Sequence, residues 1–149
     1  MNEPPRPPAN PLETLVGYQM RRVSAAAMAD LSRDLATVAL TPTEASVLLL
    51  VAANPGIRPT ELGRMLGIQR ANMTPLTGKI EKQGLIRRCR VDGRSHGLTV
   101  TEQGGDRSVE TKRIMDEHDR RLLEPLCGSA RDSLALALDT LWGDRLEGS

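Results

Sequence analysis

The sequence predicts a mainly α protein with a small β-wing: a winged helix-turn-helix domain set between N- and C-terminal helices suited to dimerisation. Three observations carry this. Apolar residues recur at helical spacing near both ends of the chain, a glycine-centred turn divides two short helical segments in the middle, and two β-rich segments follow, joined by a loop from Asp92 to His96.

At 149 residues and 39% hydrophobic content, the chain suffices for one cored domain with helical extensions. It has no run of eighteen apolar residues, and its first eleven residues have neither an apolar stretch nor a cleavage-site pattern. Neither a membrane span nor a signal peptide is read, and a cytoplasmic location is expected. Cys89 and Cys127 share no close spacing, so neither a disulfide framework nor a metal site is indicated, and no cofactor is expected. Tyr18 and Trp142 are the only aromatic residues, too few for stacking on single-stranded nucleic acid. The net charge of +1 hides an asymmetry: Arg58 to Arg94 holds nine Lys or Arg against three acids, a net +6, while the remainder holds eleven against sixteen, a net −5. Such a basic block suggests a surface for a polyanion on a frame of the opposite sign. An enzyme is not expected, because the two histidines lie far apart and neither a nucleophile motif nor a phosphate-binding glycine loop is present.

The first eleven residues, with five prolines, predict a disordered arm. From Leu12 the three- and four-residue recurrence of Leu15, Val16, Met20, Val23, Ala27, Leu31 and Leu35 predicts an amphipathic helix to near Ala39. Thr41, Pro42 and Glu44 form a helix-start signal, and Asn54, Pro55 and Gly56 a stop. Thr60 is expected to cap a short helix with Leu62, Met65 and Leu66 facing inward. Gly67 permits the turn, and a second helix buries Met73, Leu76, Thr77 and Ile80. Pro75 predicts regular helix only from Ala71 or Asn72, or a bend at Ala71. The segments LIRRCRV and GLTVT are the expected strands. A charged helix after Thr101 should carry Val109, Ile114, His118 and Leu122 along one side, with His118 solvated or at an interface. A last helix after Gly128 presents Leu134, Leu138, Leu141 and Trp142. So small a body does not cover these stripes, so Leu12, Leu15, Val16 and the last four are expected to pack on a second copy. The organisation is an arm at 1–11, an N-terminal dimerisation helix at 12–39, a winged helix-turn-helix lobe at 40–104 and C-terminal dimerisation helices at 105–149.

From about Leu12 to Leu146 this order resembles the MarR family of bacterial winged helix-turn-helix transcriptional regulators. The wing carries the most specific match: the family pattern Asp-x-Arg, then Leu-x-Leu-Thr-x-x-Gly, is met by Asp92, Arg94, Leu98, Val100, Thr101 and Gly104, with Val100 in place of the usual Leu. The segment Leu76–Ile86 is similar to the family's recognition helix and its exit into the wing, although Pro75 and Gly78 are less usual there. The resemblance implies a sequence-specific regulator that binds double-stranded DNA as a homodimer on a pseudo-palindromic operator. It also implies a repressor responsive to a small amphipathic or phenolic effector, with Tyr18, Arg21 and Arg22 as candidate ligands to it. The alternatives are a cysteine-based redox sensor and a winged helix for protein contacts alone. Some relatives sense oxidants through a cysteine in the first helix, and this chain has none there.

The residues agree with a groove-reading surface. With Met73, Leu76 and Ile80 inside, the 100° step turns Ala71, Asn72, Thr74, Pro75, Gly78, Lys79 and Lys82 outward. Asn72 suits adenine, Thr74 a thymine methyl or phosphate, and Arg70 guanine or phosphate. Lys79, Lys82, Arg87, Arg88 and Arg90 are phosphate candidates. Arg94 is expected in the minor groove, oriented by Asp92, with Ser95 and His96 beside it on the wing.

Overall fold

The computed structural model describes residues 9–91 and 96–147. Its order is α1 (Val16–Leu35), a 3-10 turn (Ala36–Val38), α2 (Pro42–Ala53), α3 (Pro59–Leu66), α4 (Arg70–Lys82), β1 (Ile86–Arg90), β2 (His96–Val100), α5 (Glu102–Leu123) and α6 (Gly128–Glu147). Of the expected arm, residues 1–8 lie outside the described residues. Asn10 then builds a local turn, its Oδ1 accepting the Leu12 N–H at 3.1 Å, so α1 begins at Val16 rather than Leu12.

The core belongs to the middle of the chain. Leu35, Val38, Val47, Leu48, Val51, Leu62, Met73, Ile80, Ile86 and Leu98 are fully or almost fully buried, each contributing about 1.5–3 kcal/mol of apolar transfer where a whole side chain is covered. Helix α2 runs through this core, and its start is doubly capped: Thr41 Oγ1 accepts the Glu44 N–H at 3.3 Å while the Glu44 carboxylate accepts the Thr41 N–H at 2.8 Å. Helix α3 departs from the expected cap. Pro59 takes the first helical position and the Glu61 carboxylate accepts the Arg58 N–H at 2.8 Å, which places Thr60 inside the helix. Its inner face is Leu62, Gly63 and Leu66, and Met65 points out at 49% exposure. Gly67 turns the chain with φ 64°, in the left-handed region. Helix α4 then starts at Arg70 and continues through Pro75. The one helical bond that Pro75 cannot donate would have ended on the carbonyl of exposed Ala71.

Strands β1 and β2 pair antiparallel from Ile86 opposite Val100 to Arg90 opposite His96. The wing's root is tied to the loop after α2, where the Gly56 N–H donates to the Leu98 carbonyl at 2.8 Å and the Leu98 N–H to the Ile57 carbonyl at 2.9 Å. Thr101 caps α5 by accepting the Gly104 N–H at 2.9 Å, and its hydroxyl donates to the Gly84 carbonyl at 2.6 Å. A Cβ on Gly104 would stand 1.8 Å from the Leu85 carbonyl oxygen. That docking sets the roll of α5, whose inner face becomes Gly104, Ser108, Thr111, Ile114 and His118. Val109, one residue round from Ser108, is therefore outside at 73% exposure, Leu122 is exposed, and His118 is buried rather than solvated. Arg121 ties α5 to Asp34 of α1 at 2.5 Å. Among the described residues no single helix is long and apolar enough to cross a membrane; α1 with its 3-10 turn reaches that threshold only together with α2, across a 65° bend.

Candidate nucleic-acid interface

Helix α4 is held by three inward side chains. Met73, Thr77 and Ile80 are buried, and the Thr77 hydroxyl, the one polar group among them, donates to the Met73 carbonyl at 2.9 Å. At 100° per residue the direction opposite them is occupied by Lys82, with Ala71, Pro75 and Gly78 within about 40° of it. Ala71, Pro75 and Gly78 keep this ridge low up to Lys82 at its C-terminal end. Nothing in the chain lies within 4 Å of where a Cβ on Gly78 would stand. Asn72 and Lys79 share one flank of the ridge; Arg70, Thr74 and Glu81 share the other.

Each flank is braced by an ion pair. On the first, Lys79 Nζ lies 2.6 Å from the carboxylate of Glu44, a side chain only 3% exposed at the start of α2. On the second, Arg88 Nε lies 3.4 Å from the Glu81 carboxylate. Both cationic partners are exposed, so their contribution to stability is small, but each has an acid already at hand. Alternation along β1 puts Arg88 and Arg90 on the face of Ile86, and Arg87 with Cys89 on the opposite face. Arg90 stands across from His96 at the outer end of the ladder.

Of the expected contacts, Arg70, Asn72, Thr74, Lys79, Lys82, Arg87, Arg88, Arg90 and His96 are all exposed. The wing-tip residues Asp92, Arg94 and Ser95 lie outside the described residues. Glu44 and Glu81 were missed as members of the site. Glu44 sits 35 positions from Lys79 in the chain, and its local pattern announces only a helix cap.

This surface is a polar, low-ridged helix beside an arginine-rich hairpin, and comparison with known proteins gives it a lineage. The MarR family model matches residues 40–95. The repressor CouR bound to a 23-mer DNA duplex is 38% identical, with 87% of this chain and 94% of that one covered and a TM-score of 0.81. The chain belongs to the MarR family. CouR bound to p-coumaroyl-CoA is 36% identical over 91% of this chain and 97% of that one, with a TM-score of 0.82. A Thauera aromatica protein proposed to regulate the hcr operon is 25% identical over 130 residues, 85% of this chain and 78% of its own. A Mycobacterium tuberculosis MarR family protein, Rv2887, in complex with salicylic acid is 25% identical over 87% of this chain and 97% of that one, with a TM-score of 0.68. The protein is thus a MarR-type transcriptional regulator rather than an enzyme.

In this MarR-family chain the residues expected for dimerisation are all exposed: Leu12, Leu15, Val16, Leu134, Leu138, Leu141 and Trp142 range from 39% to 73%. The Trp142 ring lies against the helix-turn-helix turn, where a Cβ on Gly67 would stand 3.0 Å from it. The expected effector residues cluster on α1: the guanidinium carbons of Arg21 and Arg22 lie 5.1 and 5.8 Å from the centroid of the half-buried Tyr18 ring. Cys89 is half-buried in β1. Cys127 is exposed just before α6, where the Ser129 hydroxyl and the Ala130 N–H hold its thiol below the usual range.

Proposed function

We propose that this regulator is a ligand-responsive repressor that binds a pseudo-palindromic operator as a homodimer in the cytoplasm. The low ridge of α4 between its polar flanks is the observation that carries the reading. A mid-helix glycine with open space over it weakens a helix, and its absence of side chain gains meaning where another molecule's surface comes close. Residues 40–104 form the DNA-binding lobe, with Asn72, Thr74 and Arg70 towards bases, Lys82, Arg87 and Arg90 towards phosphate, and Arg94, Ser95 and His96 on a wing that Asp92 orients. Residues 12–39 and 105–149 form the dimer frame. Two recognition helices related by a two-fold axis and about 34 Å apart would meet successive major grooves.

For the effector, CouR's complex with p-coumaroyl-CoA favours an aryl thioester of coenzyme A over a free phenolic acid. Tyr18 beside Arg21 and Arg22 suits a ligand that is aromatic at one end and anionic at the other. A redox reading rests on Cys127 alone and is the weaker alternative. Duplexes retained from fragments of the source genome would be titrated with p-coumaroyl-CoA, its free acid and salicylate. A symmetric footprint released by the thioester at the lowest concentration is expected. Retention of no duplex would leave a winged helix for protein contacts, and release by the acids alone would overturn the thioester assignment.

A further inference from the structure

We propose that Glu44 is a positioning residue for DNA recognition: its carboxylate, fixed at the start of α2, holds Lys79 on one flank of α4 and so sets the roll in which the recognition helix meets the groove. The proposal rests on the DNA-binding reading above and decides which exposed cations meet phosphate. Glu44 has two tasks. One oxygen, Oε2, accepts the Thr41 N–H at 2.8 Å and completes the helix cap. A cap needs only one such acceptor, and a glutamine supplies it equally well. The other oxygen, Oε1, meets Lys79 Nζ at 2.6 Å, a contact the cap does not explain.

The geometry makes this contact a tether rather than a surface ornament. The Glu44 side chain is 3% exposed and the Lys79 side chain 60%, so the acid is the fixed end and the lysine the tethered one. A charge so enclosed is kept only where a cation and hydrogen bonds answer it. Burial pushes the Glu44 carboxyl up, and Lys79 with the backbone and hydroxyl of Thr41 outweighs that, leaving it below the usual carboxylate range. Lys79 follows Asn72 by seven residues and shares its flank within about 20°. Fixing Lys79 therefore fixes the direction from which Asn72 approaches a base edge. It also removes Lys79 from phosphate neutralisation, since its ammonium already faces a buried anion.

The test uses the full chain, the duplex selected from genomic fragments and a scrambled duplex of equal length. Glu44→Gln keeps an oxygen for the cap and removes the charge; Lys79→Gln removes the other partner from an exposed position but leaves the enclosed carboxylate unanswered, so melting curves of both variants accompany the titrations and only duplex affinities measured where each variant is folded are compared. Each single variant should lower the ratio of selected to scrambled affinity by roughly 3- to 30-fold, the range of a broken side-chain network, and the double variant should fall no further than the singles. On the scrambled duplex, Lys79→Gln should leave the slope of log affinity against log salt as in the wild type, while Glu44→Gln, which frees the lysine, should steepen it by about 0.9. An unchanged ratio in Lys79→Gln, additive losses in the double variant, or a slope shallower by about 0.9 in Lys79→Gln would overturn the proposal. A wild-type chain that retains no duplex at all would instead defeat the DNA-binding reading on which it rests.

Discussion

At Gly78 stability and binding should pull in opposite directions. A Cβ there meets nothing within 4 Å in the chain, so Gly78→Ala should stabilise α4 by about 1 kcal/mol through helix propensity alone and raise the melting temperature by roughly 2–4 °C. The same methyl stands on the ridge proposed to face DNA, and on that reading operator affinity should fall about tenfold, about 1.4 kcal/mol. A variant that melts higher and binds as tightly as the wild type would show that the ridge does not touch DNA. The wing arginines divide in a similar way. Arg87 and Arg88 are adjacent in sequence, but Arg88 lies beside Glu81 and Arg87 projects from the other face of the hairpin. Arg87→Ala should reduce the salt slope of binding by about 0.9, one phosphate contact, and Arg88→Ala by clearly less. Equal reductions, read from titrations over a range of salt, would remove the distinction that the Glu81 pair draws.

Helices whose signals are local were legible, and those set by distant partners were not. Thr41, Pro42, Glu44 and Asn54 bound α2 because capping acts within four residues, and the structure has every one of those contacts. Thr101 and Gly104 were visible as a motif, but their reason, a hydroxyl on the Gly84 carbonyl and a backbone pressed on Leu85, joins residues some seventeen positions apart. The inner face of α5 follows from that docking, which is why Val109 was assigned to the wrong side. At the candidate interface the outward set of α4 was readable from periodicity, whereas the two ion pairs on its flanks were not: any of several acids fits Lys79 until the fold selects Glu44. The α2 start also makes a pH prediction. A carboxyl held below its ordinary value of 4.5 favours the folded state above that value, and the benefit disappears as pH falls through the lowered one. Melting temperatures of wild type and Glu44→Gln should therefore differ most near neutrality and converge as the pH falls through the lowered value; a gap independent of pH would show that charge at Glu44 is not what matters.

Across the whole molecule, apolar surface is distributed unevenly. Of the large apolar side chains left exposed, Met65 and Val91 belong to the central lobe, while those on α1, α5 and α6, among them Val16, Val109, Leu136, Leu138 and Leu141, lie on the flanking helices. The core joins Leu31 and Leu35 of α1 and Ile114 of α5 to the lobe, and the apolar surface left over on the flanking helices is what the proposed second copy would cover. Leu138→Glu should convert a sedimenting dimer into a monomer, leave the lobe folded, and lower operator affinity by at least about a hundredfold because two half-sites no longer bind as one. A monomeric variant with wild-type affinity would dissociate dimerisation from recognition. Helix α6 reaches the lobe at Trp142, the sole tryptophan in the chain, a residue 47% exposed whose ring rests on the turn at Gly67. Indole emission excited beyond the absorption of Tyr18 therefore reports from one place only, the seam between frame and reading head. Saturation with operator should shift its wavelength or its quenching by acrylamide, and effector should reverse the shift; emission unmoved through both titrations would mean that the lobe and α6 travel together as one body. The protein thus carries its own unlabelled optical gauge of whether its two halves move against each other.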